Sequence, residues 1–312
     1  MTMSDIRTSN CFSPLRAQGQ KEMTVAYDTL VSAGILQQQL NHPDWVILDA
    51  RFNLSDTEAG RQAYQQGHIP GAYYVHLDEQ LSSPITAESG RHPLPDPQTL
   101  ADWLGSVGIG ADTQVVIYDD MGGAMAGRCW WLLKTLGHQA AAVLDGGLSH
   151  WQEQGFAVTF DTTAAAIPCA FQMQWQSGAV IDMQRVLVNL DKATFQLVDA
   201  RAPERYRGEQ EPIDPVAGHI PRALNRALNL NLGADGCFKS PQQLQQEWQA
   251  LLADQGPETI VHMCGSGVTA CHNHLAMEYA GLTGSRVYAG SWSEWIRGSK
   301  RPVATSSDSL SR

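Results

Sequence analysis

The chain repeats itself, and this limits its fold more than any other feature. Val46-Ile47-Leu48-Asp49-Ala50-Arg51 returns as Leu197-Val198-Asp199-Ala200-Arg201, with the two aspartates 150 positions apart. Gly67-His68-Ile69-Pro70 returns as Gly218-His219-Ile220-Pro221, 151 apart. Val115-Val116-Ile117-Tyr118-Asp119 aligns with the run that ends in Cys264 at an offset of 145, and Gly147-Leu148-Ser149-His150-Trp151 echoes Ser291-Trp292-Ser293-Glu294-Trp295 at 144. Four blocks in one order, with an offset that drifts by only a few residues, mark a tandem duplication with small loop indels. The length of 312 residues fits two domains, each large enough to bury a core.

Each repeat reads as an α/β unit. The runs Trp45–Leu48, Val115–Tyr118, Gln196–Val198 and Thr259–His262 lack clean polar alternation, which suits strands buried on both faces of a parallel sheet. Helical patterns alternate with them. Pro97–Val107 follows Pro95 and stops before Gly108. Pro241–Ala253 has Ser240 as its cap and proline at the first helical position. Ala126–Leu136 and Thr269–Ala280 follow two glycine-rich loops and stop at Gly137 and Gly281. The expected division is an N-terminal extension over 1–23, a first domain over 24–160, a linker over 161–178, a second domain over 179–304 and a tail over 305–312.

Composition narrows the function. The chain carries 32 acidic against 21 basic residues, a formal charge of −11, which argues against nucleic acid as a partner. It does not exclude a small anionic substrate, which responds to local cations. No run approaches the roughly 20 apolar residues of a membrane span, and residues 1–22 lack a secretory h-region. The expectation is a cytoplasmic protein whose six cysteines (Cys11, Cys129, Cys169, Cys237, Cys264 and Cys271) are free thiols.

The two halves differ at the loop after their apolar fourth strand. The first copy offers Asp119-Asp120-Met121-Gly122-Gly123-Ala124, and the second offers Cys264-Gly265-Ser266-Gly267-Val268-Thr269 before a helix. Open α/β sheets place their sites at such strand-to-helix loops. Backbone N–H groups there converge on one point and favour an anion, with Gly265 and Gly267 permitting close approach. A cysteine at that point has the position of a nucleophile, whereas Asp119 is already an anion and is no sulfur nucleophile. Cys129, Cys169 and Cys271 read as core or linker residues, Cys237 as an exposed loop thiol.

These motifs, with Gly-Ser-Trp-Ser-Glu-Trp at 290–295, resemble the tandem rhodanese family over about residues 24–304. The Cys-Gly-Ser-Gly-Val-Thr loop is most similar to the 3-mercaptopyruvate sulfurtransferase branch. The thiosulfate branch usually carries two cations where Gly265 and Ser266 stand. The resemblance implies a persulfide on Cys264, a small anionic sulfur donor, a thiol or cyanide acceptor, no cofactor or metal, and a catalytically silent first repeat. It implies that Arg205 binds the donor together with the loop residues Gly265, Gly267, Val268 and Thr269. It also implies that Ser266 works with His68 in proton transfer. His68 and His219 recur in both repeats, so a structural role for His68 stays open beside the catalytic one. The family's second donor-binding arginine is absent, since Ile213 or Asp214 stands in its place. Arg207, Arg222 and Arg226 are the candidates to replace it.

Other readings of the same residues are weaker. Phosphatases of this fold follow Cys-x5-Arg, and Ala270 stands where that arginine would be. A sulfur-carrying interaction module without turnover remains a third reading. Cys264-x6-Cys271 is too wide for a zinc pair, and Cys271, His272 and His274 do not share one helix face. Gly122-Gly123 is no dinucleotide fingerprint.

Overall fold

The computed structural model describes residues 26–305. The expected extension over 1–23, Cys11, and all of the expected tail except residue 305 lie outside that range.

Each repeat forms a five-stranded parallel sheet. The first holds β1 (Leu30–Val31), β2 (Trp45–Asp49), β3 (Ala72–Tyr74), β4 (Gln114–Tyr118) and β5 (Ala141–Leu144), in the order β1-β5-β4-β2-β3. The second holds β6 (Val180–Ile181), β7 (Gln196–Asp199), β8 (Leu224–Asn225), β9 (Ile260–Met263) and β10 (Arg286–Tyr288), in the order β6-β10-β9-β7-β8. The two orders are the same order used twice. Both central strands, β4 and β9, are buried along their whole length, which explains their unbroken apolar character.

The expected helices form, each end within one residue of its expected place. Pro97–Ser106 is capped by Asp96, whose side chain accepts from Thr99 N, and Pro241–Leu252 is capped by Ser240, which accepts from Gln243 N. These caps satisfy first-turn N–H groups that have no partner within the helix.

The repeats meet through the helices that follow the two glycine-rich loops, Ala126–Thr135 and Ala270–Tyr279. The second is buried on every side from Ala270 to Met277. Its sequence therefore lacks an amphipathic stripe, because sheet covers one side and the partner repeat the other. A β-carbon on Gly127 would stand 3.3 Å from His272 N, so glycine permits the two helix backbones to cross closely. One core cluster runs through both repeats across this crossing, from Leu48 and Trp130 to Cys264 and Leu275.

The paired Asp-Ala-Arg motifs are internal braces. Arg51 Nη2 binds Asp49 at 2.6 Å and donates to Gly67 O at 2.7 Å. Arg201 Nη2 makes the same bonds to Asp199 and to Gly218 O at the same distances. Each guanidinium thus ties the end of a strand to the Gly-His-Ile-Pro turn.

Candidate active site

The two loops put different groups in the same place. In the first repeat the Asp119 carboxylate accepts four backbone N–H groups, from Met121, Gly123, Met125 and Ala126, at 2.7 to 2.9 Å. Asp119 is fully buried and fills its own anion cradle. In the second repeat Gly267 N donates to Cys264 Sγ at 3.1 Å.

The Gly-Ser-Trp motif holds the catalytic-type loop from behind. Trp292 N donates to Cys264 O and Ser293 N to Gly265 O, at 3.0 and 2.8 Å. Leu148 N makes the equivalent bond to Asp119 O, which accounts for the duplicated motif. Ser291 occupies the left-handed region at φ 54°, where its counterpart Gly147 has φ 58°. The serine hydroxyl accepts from Cys264 N at 3.1 Å and donates to Tyr288 O at 2.9 Å, which offsets the backbone strain. Gly267 has φ 80°, and a β-carbon there would lie 2.0 Å from Ala289 O, so this position accepts no side chain.

Of the residues expected in the site, Cys264, Gly265, Ser266, Gly267 and Val268 form one buried loop, and Thr269 precedes the helix that follows without a side-chain capping bond. Arg205, on the short helix Pro203–Arg207, stands over it. A β-carbon on Gly265 would be 3.6 Å from Arg205 Nη2.

His68 is not brought to Ser266. Its ring stacks on Tyr64 at 3.9 Å between centroids, its Nδ1 pairs with Tyr64 O at 2.8 Å, and its backbone bridges to Thr159. His219 does the same with Tyr206 and Ala304. A histidine used identically in both repeats is a turn brace.

The histidine that meets Ser266 is His92. Its Nδ1 lies 2.8 Å from Ser266 Oγ, and its Nε2 lies 3.4 Å from Asp78 Oδ1. Burial, with the Arg128 and Arg91 charges beside it, pushes the His92 imidazole down to about 3, so the ring is neutral at physiological pH. With Nε2–H turned to Asp78, Nδ1 is free to accept the Ser266 hydroxyl proton. Burial raises the Asp78 carboxyl above its ordinary value.

Three first-repeat groups therefore converge on the second-repeat loop: Asp78, His92 and Arg91. Gly90 makes this approach possible, since a β-carbon there would fall 2.6 Å from Gly290 O. Arg91 N then donates to Ser293 Oγ at 3.0 Å. Beneath the loop, the fully buried Arg128 donates to Gly267 O, Leu81 O and His92 O at 3.2 to 3.3 Å. A cleft of about 400 Å³, lined by Phe52, Leu54, Asp78, Arg91, His92 and Ile213 among others, leads to this junction. The segment carrying these residues contains no repeated motif, so the internal comparison that finds Cys264 does not find them.

The proposed replacements for the second arginine lie elsewhere. Arg207 Nε pairs with Glu209 at 2.7 Å, Arg222 Nη1 donates to Leu190 O, and Arg226 Nη2 pairs with Glu247 at 2.9 Å. Arg91 takes the place beside Gly265 instead, with Nη2 2.9 Å from where a β-carbon would be. Cys271, His272 and His274 turn to separate partners, Gly267 O, Gly122 O and Ser285 Oγ. Among the described residues, Glu58, His76 and Glu79 gather within 4.8 Å, but Arg61 already holds Glu79 and Thr57 O already pairs with His76.

The rhodanese-like domain profile matches residues 32–154 and again 182–297. The chain belongs to the rhodanese family. This rhodanese is 48% identical over 278 residues to a probable 3-mercaptopyruvate sulfurtransferase of Pseudomonas aeruginosa, covering 88% of this chain and 98% of that protein. It is 35% identical over 282 residues to the thiosulfate sulfurtransferase of Rattus norvegicus, covering 88% and 93%. The structure titled 3-mercaptopyruvate sulfurtransferase from Leishmania major superposes on the rhodanese with a TM-score of 0.77 at 26% identity, over 88% of this chain and 75% of that one. The expected family and the fold of two parallel α/β domains both hold. No helix among the described residues is long and apolar enough to cross a membrane.

Proposed function

We propose that this protein is a sulfurtransferase that takes sulfur from 3-mercaptopyruvate onto Cys264 and passes it to a thiol or cyanide acceptor. The observation that carries the choice of donor is the Ser266–His92–Asp78 array beside the cysteine. When the Cys264 thiolate attacks the donor sulfur, an S–S bond forms and the C–S bond breaks. The electron pair goes to the carbon and leaves pyruvate enolate, which must gain a proton. The donor's thiol loses a proton as its sulfur joins Cys264, and a serine hydroxyl backed by a neutral imidazole and a carboxylate is a device for relaying that proton to the carbon. Thiosulfate leaves as sulfite, which needs no protonation at carbon. The thiosulfate donor is the second reading, and the 35% identity to a thiosulfate enzyme favours it less than the 48% identity favours mercaptopyruvate.

In the second half-reaction the acceptor attacks the outer sulfur. Its S–S bond to Cys264 breaks, the pair returns to the Cys264 sulfur, and thiocyanate or an acceptor persulfide departs. The first repeat is read as catalytically silent because Asp119 occupies its cradle. The five described cysteines are free thiols, in keeping with a reducing compartment such as the cytoplasm. We place the domain limits at 24–160 and 179–304.

Cys264→Ser tests the mechanism. Thiocyanate production should vanish, and intact mass after incubation with mercaptopyruvate should show one added sulfur on the wild type and none on the variant. Retained turnover in Cys264→Ser would overturn the persulfide route. A higher kcat/KM with thiosulfate than with mercaptopyruvate would overturn the choice of donor.

A further inference from the structure

Two guanidiniums, one from each repeat, stand over Gly265 and share a single carboxylate. Arg205 grips Glu211 through Nε at 3.0 and 3.1 Å and through Nη2 at 2.6 Å. The same Nη2 reaches Asp214 Oδ2 at 3.1 Å. Arg91 binds the other oxygen, Asp214 Oδ1, through Nη1. Glu211 is also held by Arg201 Nη1 at 3.3 Å, so its charge is matched without Arg91. Asp214 depends on Arg91 and on the remaining reach of Arg205.

Three features separate Asp214 from an ordinary structural ion pair. It is only 8% exposed, and burial, with the Glu211 charge beside it, raises its carboxyl above its ordinary value despite the neighbouring arginines. It sits in the irregular segment between the Pro203–Arg207 helix and β8, where no ladder or helix holds it in place. Its two partners face the residue next to the nucleophile, and Arg91 Nε is buried without a partner of its own. A carboxylate between two guanidinium forks beside Cys264 stands where the carboxylate of an α-keto acid donor would have to go.

We propose that Arg91 and Arg205 together form the donor's carboxylate site, and that Asp214 fills it at rest and gives way when the donor binds. The inference rests on the mercaptopyruvate reading above and deepens it. The exchange replaces one carboxylate by another, so both guanidiniums stay paired once the displaced Asp214 carboxylate has swung out to solvent. Because Asp214 is tethered, it competes with the donor at a high local concentration and weakens donor affinity. Arg91 comes from the first repeat, so that repeat supplies part of the binding site even though its own loop is filled. Arg91 and Asp214 are specificity residues: they select a donor with a planar carboxylate at a fixed distance from its sulfur.

The test begins with wild-type loading of Cys264 by mercaptopyruvate, read by intact mass. No added sulfur would overturn the donor reading itself. Given loading, steady-state kinetics with mercaptopyruvate and cyanide are compared for three variants, each with its melting curve. Asp214→Asn should lower KM about five- to tenfold with little change in kcat, because the resident competitor loses its charge. Arg91→Ala should raise KM roughly ten- to a hundredfold, and Arg91→Lys should recover part of that. Product inhibition by pyruvate, which keeps the carboxylate and lacks the sulfur, should tighten in Asp214→Asn and weaken in Arg91→Ala. A KM that rises or stays constant in Asp214→Asn, in a variant that melts like the wild type, would overturn the exchange while leaving the donor reading intact. An unchanged KM in Arg91→Ala would remove Arg91 from the site.

Discussion

His92 Nδ1 and Ser266 Oγ lie 2.8 Å apart although 174 residues separate them in the chain. One belongs to the first repeat and the other to the second, so the proton-handling part of the site exists only when the two repeats are packed together. His92→Asn and Ser266→Ala should each lower kcat with mercaptopyruvate by about 10²- to 10⁴-fold, the usual worth of a positioned proton-transfer group. Thiosulfate turnover, where no carbon is protonated, should fall far less. Parallel kcat measurements with the two donors decide it, and equal losses would argue that both residues merely hold the loop.

Gly267→Ala should be one of the most damaging small substitutions in the chain. Its backbone is left-handed, and the new methyl would meet Ala289 O at 2.0 Å. The expected loss is about 3 kcal/mol or more of unfolding free energy. The amide of Gly267 also donates to Cys264 Sγ, so sulfur loading should suffer in whatever fraction remains folded. Denaturant titration and intact mass read the two effects separately.

Asp119 makes the opposite prediction for the first repeat. It accepts four buried N–H groups, and Asp119→Ala leaves all four without an acceptor. Each such orphan costs about 1–3 kcal/mol, and water filling the vacated space recovers part of it, so a net loss of roughly 3–6 kcal/mol is expected. Thermal unfolding should show it. A melting temperature within a degree of wild type would mean that the cradle is not a stability element.

Stability should fall as pH drops below about 6.5. Burial pushes His92 down to about 3 and both His272 and His274 down to about 4. The unfolded chain binds protons on these rings near pH 6.5, whereas the folded chain does so only near 3 to 4. The stability they permit is therefore fully present above 6.5 and is lost as pH falls through that window. Each ring contributes a slope of up to about 1.4 kcal/mol per pH unit. Denaturant midpoints measured from pH 7.5 to 4.5 should decline accordingly, and His272→Asn, if it folds, should flatten the decline by about one ring's share.

How much of this could be read beforehand divides along a physical line. The parallel strands were legible because burial on both faces leaves unbroken apolar runs, as at Val115–Tyr118. The helices were legible because Ser240-Pro241 and Gly281 are local signals. The unequal loops were legible because a duplication provides its own control, with Asp119 standing where Cys264 stands. The family resemblance implies His68 as the partner of Ser266 and leaves a structural role open beside it. The structure shows why that motif repeats: His68 and His219 each stack on a tyrosine and brace a turn.

The amino-acid sequence by itself determined the duplication, the sheet class and the placing of one cysteine in a glycine-rich strand-to-helix loop, because all three follow from periodicity and from residue types next to one another. Only the tertiary structure decided that Asp78, Arg91 and His92 complete that loop. They lie in an irregular segment that is longer in the first repeat (75–96) than in the second (226–240), so neither periodicity nor the internal repeat marks it. Their contacts with Ser266, Gly265 and Asp214 arise from the packing of one repeat on the other, in which Gly127 and Gly90 let the two backbones approach.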